Sequence, residues 1–253
     1  MSSEAMQPKH EAYRLAELRD LVATGRMRIP DFQRSFRWEN KDVVALFDSL
    51  HQGYPIGNLL MWKRDAPEHR VIVGSIEIDA PRRSDALWLV DGQQRVTSIA
   101  NAMDARSEGD ARFAVGYDLE NARIVSTKGR RSRSVMPFYL LFDFESAWKW
   151  FEERAEIQSL RGRYMEAFNV FNAVSVPATV LEDADEDKLR VIFDRINQSG
   201  KRLKAFEVFD ALNGSASTER TLQSISDAVA RATRFGEISE EYVLNVMKAR
   251  RHP

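Results

Sequence analysis

Leu87-Trp88-Leu89-Val90-Asp91-Gly92-Gln93-Gln94-Arg95-Val96-Thr97-Ser98-Ile99-Ala100-Asn101-Ala102-Met103 is the stretch on which the fold turns. Its first four residues are a short apolar run of strand type. Asp91 to Arg95 make a polar turn with one glycine, and Val96, Ile99 and Met103 then recur at helical spacing. The reading is strand, turn, helix. Such a turn leaves the first N–H groups of the helix without intrahelical partners at the positive end of its dipole, which favours an anion. Gly92 lets a phosphate come close to the backbone, and Arg95, in the first helical turn, offers forked, charge-assisted donors. Gln93 and Gln94 add neutral donors and acceptors. Asp91 has two readings: it caps the helix, or it ligates Mg²⁺ or orients a water. On spacing alone, a capped helix start with solvent-facing glutamines also accounts for the pentapeptide.

Upstream, Leu15, Leu18, Leu21 and Val22 predict a helix over 11–24 that stops at Gly25, with a short strand at Met27-Arg28-Ile29-Pro30. Asn40 is placed to cap a second helix carrying Val43, Val44, Phe47 and Leu50, and strands are expected at 58–62 and 71–78. Downstream, Phe113, Val115 and Tyr117, then Ile124 and Val125, predict a hairpin. Helices occupy much of 143–172, and Val174 to Leu181 is a further strand. Beyond the acidic stretch Glu182 to Asp187 the pattern is helical, at 186–196, 204–213, 218–233 and 239–250. The expected class is α+β: a mixed-sheet core over 11–135 and a mainly helical region over 136–253, whose returning strand near 174–181 packs on that core.

Other segments carry chemistry. Gln33 and Arg34 end the short strand with an amide and a guanidinium, and Arg37 and Trp38 follow, groups suited to a base or a phosphate. Phe36 and Trp38 suit core anchoring equally well. Lys128, Arg130, Arg131 and Arg133, spaced by Gly129 and Ser132, form a basic loop that either reaches phosphates or is simply solvated. Phe193 to Lys201 is a helix end running into a Gly200 turn, with Asn197 and Lys201 able to reach a neighbouring site; C-capping alone also explains the glycine.

Composition removes several classes. Zero cysteines exclude disulfides, thiolate catalysis and cysteine-held metal sites. The four histidines (His10, His51, His69 and His252) lack metal-ligand or triad spacing, and neither a Walker loop nor a Rossmann fingerprint is present. With 37 basic and 38 acidic residues, any nucleic-acid contact must use local clusters. No run approaches the ~18–20 apolar residues of a bilayer span, and the start lacks a signal-peptide core, so a cytoplasmic protein is expected.

Three segments taken together, Ile29-Pro30-Asp31-Phe32-Gln33-Arg34-Ser35-Phe36-Arg37-Trp38, Val90-Asp91-Gly92-Gln93-Gln94-Arg95 and Phe193-Asp194-Arg195-Ile196-Asn197-Gln198-Ser199-Gly200, resemble the ParB-like N-terminal domain of GmrSD-type modification-dependent restriction systems. Tyr54-Pro55-Ile56-Gly57 fits the same pattern, and the likeness runs from about residue 15 to 213. It implies a ParB/sulfiredoxin-like core with a helical extension, nucleotide binding or hydrolysis, and defence against phage DNA with modified bases or backbones. In related folds a Gly-x-x-Arg turn holds nucleotide phosphates, and Gly92 to Arg95 stands in that position. By the same analogy Gln33 and Arg34 lie beside the turn, and Asn197 and Lys201 approach from the helical half. The resemblance therefore makes Asp91, Gln94 and Arg95 the catalytic candidates and Gln33, Arg34, Gly92, Gln93, Arg95, Asn197 and Lys201 the nucleotide-binding ones. Arg37, Trp38, Lys128, Arg130, Arg131 and Arg133 are the DNA-contacting candidates. An NTP of unspecified base, with Mg²⁺, is the expected cofactor, and modified DNA and a homo-oligomeric copy are expected partners. Full-length relatives commonly carry a second, His-dependent nuclease domain, whereas this sequence ends at His252-Pro253 with no metal-binding histidines after 213. A nuclease domain or subunit outside this sequence is thus a further expected partner. The alternative is a non-catalytic sensor of modified DNA that controls such a nuclease.

Overall fold

A computed structural model of the protein describes residues 8–29, 36–129 and 132–182. The helices expected beyond 186 lie outside the described residues.

The decisive stretch folds as read. Strand β6 (Arg83–Asp91) passes through Gly92 into helix α3 (Gln93–Ala102). The strand is longer than its apolar run because it is paired on both sides. It runs antiparallel to β3 (Leu59–Ala66), with Trp62 opposite Trp88, and parallel to the two-residue β2 (Met27–Arg28), with Met27 opposite Leu87. Beyond β3 lie β10 (Ser175–Leu181), parallel to it, and β1 (Lys9–Arg14), antiparallel to β10, so the sheet order is β1-β10-β3-β6-β2. The α+β class with a mixed sheet, expected from the sequence, agrees with the helices and the parallel and antiparallel strands that the structure has.

Alternation along these strands builds one core. Leu59 and Met61, Leu87 and Leu89, and Val176, Ala178 and Val180 join Leu15, Leu18 and Val22 of α1 (Leu15–Ala23) in a single buried cluster. Val43, Phe47 and Leu50 of α2 (Asn40–His51) and Val96 and Ile99 of α3 belong to the same cluster. Each of these side chains larger than alanine contributes about 1.5–3 kcal/mol by leaving water. Phe47 lies 4.4 Å from Phe138, ring centre to ring centre, which ties α2 to the segment preceding α4 (Phe144–Glu152). Helix α5 (Arg161–Ala173) then delivers the chain to β10. A hairpin β4 (His69–Val73) and β5 (Ile76–Ala80), and a three-stranded sheet in the order β8-β7-β9, complete the described architecture. The latter consists of β7 (Val115–Asp118), β8 (Arg123–Ser126) and β9 (Val135–Pro137).

Several local expectations are corrected. Residues 11–14 are strand, because Lys9 to Arg14 pair with Ser175 to Val180, a partner too distant for local periodicity to reveal. The single strand expected at 71–78 is two, broken at Gly74-Ser75. Asn101 breaks it: buried in α3, it accepts from the Ser75 N–H (2.9 Å), the Ser75 hydroxyl (2.8 Å) and the Ser107 hydroxyl (2.9 Å). Its amide donates to the carbonyls of Val73 (2.9 Å) and Thr97 (2.8 Å). Replacing Asn101 by Ala leaves these buried groups unpaired, so Asn101→Ala is expected to lower stability by about 2–3 kcal/mol, read from denaturant midpoints. Asn40 does not cap α2. Glu39 precedes the helix, its N–H bonded to Asp42 Oδ2 at 2.9 Å, while Asn40 donates to the Ala114 carbonyl (3.0 Å) and accepts from the Ser126 hydroxyl, tying α2 to the β7–β8 hairpin. Among the described residues no helix is long and apolar enough to cross a membrane.

Candidate functional site

Parallel pairing sends β2 and β6 toward the same end of the sheet, and antiparallel β3 starts there, with Leu60 opposite Asp91. Three chain segments thus meet at the turn: the exit of β2 at Ile29, residues 56–59, and Asp91-Gly92. An exit of adjacent parallel strands beside a helix N-terminus is where open α/β sheets characteristically bind ligands.

Gly92 is the residue before the first turn of α3, at φ 103° and ψ 12°. A Cβ there would stand 2.3 Å from Leu59 Cδ2, so both backbone and packing require glycine. Having no side chain, it leaves α3 without a side-chain cap, and this corrects one reading of Asp91. The Asp91 carboxylate points instead to Arg95, whose Nη2 donates to Oδ2 at 2.9 Å, an i,i+4 pair. Arg95 Nη1 donates to the Ile56 carbonyl at 2.9 Å. The Arg95 side chain is only 15 % exposed against 52 % for Asp91, so the guanidinium lies inside the turn and the carboxylate at its rim. Gly57 completes the enclosure: a Cβ on it would lie 2.9 Å from Arg95 Nη1. The arrangement is a forked cation packed between two glycines beside an uncapped helix N-terminus, with one exposed carboxylate as its counter-ion.

Gln94 has a definite task. Its Oε1 accepts the backbone N–H groups of Arg37 (2.9 Å) and Trp38 (3.2 Å), anchoring the chain just ahead of α2 to the first turn of α3. An amide oxygen committed to two backbone donors is a positioning group. Gln94→Ala should cost about 1–2 kcal/mol and speed amide hydrogen exchange at Arg37 and Trp38 selectively. Gln93 is half-buried at the start of α3.

The remaining candidates divide. Arg37 is exposed beside the turn; Trp38 is partly buried and packs on the core, as does Phe36, whose ring lies 4.8 Å from that of Phe113. Lys128 is exposed, its N–H bonded to the Ser126 hydroxyl (3.2 Å), so the basic loop is rooted next to Asn40 and thereby near Trp38. Arg133 pairs with Glu156 at 2.6 Å. Gln33, Arg34, Arg130, Arg131, Asn197 and Lys201 lie outside the described residues. What sequence reasoning missed is the 56–59 segment: the Ile56 carbonyl, Gly57 and Leu59 hold Arg95 and Gly92 from a point some forty residues away. Tyr54-Pro55-Ile56-Gly57 was visible as a pattern but carried no role. Among the described residues no group of three or more His, Cys, Asp or Glu side chains is arranged to hold a metal ion.

Fold and turn together define a mixed α/β domain with an anion-favouring strand–turn–helix unit. The chain belongs to the family of the GmrSD restriction endonuclease N-terminal domain, whose pattern matches residues 15–213. That family takes its name from restriction endonucleases of which it forms the N-terminal domain. The chain is also similar to an uncharacterised protein of Methanocaldococcus jannaschii, 24 % identical over 249 residues covering 81 % of this chain. The chain spans 42 % of that relative's length.

Proposed function

We propose that the Asp91–Arg95 turn binds the phosphate chain of a nucleoside triphosphate, and that this domain is the nucleotide-driven control element of a restriction system directed at modified DNA. One observation carries the reading: α3 starts without a side-chain cap at the meeting point of β2, β3 and β6, with a forked, enclosed guanidinium beside its first N–H groups. An incoming phosphate takes the helix N-terminus and competes with Asp91 for Arg95 Nη2. Arg95 then stabilises charge developing on the transferred group, and hydrolysis is the proposed reaction. The donor set fits Mg²⁺ arriving with the nucleotide rather than held in a protein cage, since Asp91 is a single accessible carboxylate and Mg²⁺ is commonly held by one or two carboxylates plus substrate phosphates. When bound, the ion would neutralise phosphate charge.

Gln94 links this turn to the segment 37–38 and so gives nucleotide state a route to the exposed Arg37 and to the loop bearing Lys128, the proposed contacts to modified DNA. DNA cleavage is assigned to another domain or subunit, in keeping with a family defined by an N-terminal domain. The test is binding and hydrolysis of the four NTPs with Mg²⁺, with and without modified DNA. Saturable binding with phosphate release that responds to DNA is expected. Absence of any nucleotide binding would remove the reading, and binding without turnover would leave a nucleotide-gated sensor.

A further inference from the structure

Arg83 opens β6, eight residues or about 26 Å of strand before Asp91, and with Arg26 and Arg28, whose backbones lie beside Leu87 and Trp88, it makes a set of arginines that the nucleotide reading does not use. Arg28 on β2 is 2 % exposed. Its Nη2 donates to the carbonyls of Pro81 (2.6 Å) and Pro67 (3.3 Å), but its Nε and Nη1 are buried without a partner. The Nε atom of Arg83 is likewise buried without a partner, whereas Arg26 Nε, also buried, has only its ion pair with Asp85. Both of these residues share one carboxylate, Asp85, at 3.1 Å from Arg26 and 3.8 Å from Arg83. Two guanidinium groups thus share one carboxylate and that of Arg28 has none among the described ion pairs, with three donor nitrogens left over.

Native structures seldom bury donors of a charged group without an acceptor, and such a group points to an ion or water that completes it. Water would satisfy the hydrogen bonds and leave the excess positive charge. An anion answers both. Burial, and then the nearby charge of Arg83, hold the Arg28 guanidinium below the ordinary arginine range, which marks the same deficit of negative charge. We propose that Arg26, Arg28 and Arg83 form a second anion site, one that takes a phosphate oxyanion, either free or in a nucleic-acid backbone. Guanidinium forks match tetrahedral oxyanions through paired N–H bonds. The side chains of Arg26 and Arg83 are 42 % and 32 % exposed, so they can open and re-form around the anion by rotation while Met27 stays paired with Leu87.

The experiment uses the whole 253-residue chain. Thermal midpoints are measured in inorganic phosphate and in chloride at matched ionic strength, for wild type, Arg83→Gln, Arg26→Gln and Arg95→Lys. Wild type should gain about 3 °C once phosphate exceeds its Kd ~10-fold. The gain should vanish in Arg83→Gln and shrink in Arg26→Gln, yet persist in Arg95→Lys. A gain kept in Arg83→Gln, or lost only in Arg95→Lys, places the anion on the α3 turn and overturns the proposal, as does no gain in wild type. Failure of the nucleotide reading is separate, because Arg83→Gln is expected to leave NTP binding unchanged. A labelled single-stranded oligonucleotide identifies the source. If its affinity falls in Arg83→Gln and its salt slope drops by about one, the anion is a backbone phosphate; if its affinity is unaltered while the phosphate gain is lost, the anion is free phosphate.

Discussion

Gly92→Val is expected to destabilise the protein by about 4 kcal/mol, lowering Tm by roughly 10 °C, and to abolish nucleotide binding. Two penalties combine. At φ 103° a β-branched side chain is held in a backbone conformation it rarely adopts, and its Cβ would start 2.3 Å from Leu59 Cδ2, at a residue wholly buried in the core. Leu59 cannot retreat easily, since it lies on β3 between β6 and β10. The two terms are separable. In Gly92→Ala the smaller side chain keeps the clash and part of the strain, and adding Leu59→Ala removes the clash alone. A double-mutant cycle should therefore show favourable coupling of about 1–2 kcal/mol. Simple additivity would mean that the turn rearranges to avoid Leu59. The folded fraction of Gly92→Ala tests function independently: its altered turn should bind NTP more weakly even where the protein remains native.

Much of this unit was legible from sequence because the change of period is local. Leu87 to Val90 has the apolar run of a paired strand, Val96, Ile99 and Met103 have the helical repeat, and only a few polar residues separate them. The hairpin at Tyr117 and Ile124 and the strand ending at Leu181 were legible for the same reason. What escaped depends on partners remote in sequence. Residues 11–14 look helical until β10, more than 160 residues later, is laid beside them. The break at Gly74-Ser75 is set by Asn101, a single buried amide on another element. At the site, the Asp91–Arg95 pair follows ordinary i,i+4 spacing, a local signal that competes with capping as a reading of Asp91. The bond from Arg95 to the Ile56 carbonyl and the grip of Gln94 on the Arg37 and Trp38 backbone have no local signature. Glutamine in a conspicuous motif invites a chemical role, but here its oxygen is occupied in holding chain.

Replacing Arg95 separates the turn's architecture from its proposed chemistry. Arg95→Ala removes the bond to Ile56 and the pair with Asp91; because that carboxylate is half exposed, its pair contributes little to stability, and the total loss should be about 1–2 kcal/mol. Nucleotide affinity should nevertheless fall about 100-fold, the worth of a forked, charge-assisted contact to phosphate. Arg95→Lys retains the charge but cannot donate to Ile56 and a phosphate in one plane, so it should recover only part of that loss. Asp91→Asn then decides what the carboxylate does. If Asp91 merely competes with phosphate for Nη2, its neutralisation frees the guanidinium, and NTP binding should tighten with turnover unchanged or higher. If it holds Mg²⁺ or orients water, binding should tighten or hold while turnover collapses by about 100-fold or more. A variant that folds normally yet loses binding and turnover together would show that the Asp91–Arg95 pair keeps Arg95 in the binding geometry, making Asp91 a positioning residue. Isothermal titration with a non-hydrolysable NTP analogue, set beside phosphate release, separates the three cases, because only the catalytic role lowers the rate without lowering affinity.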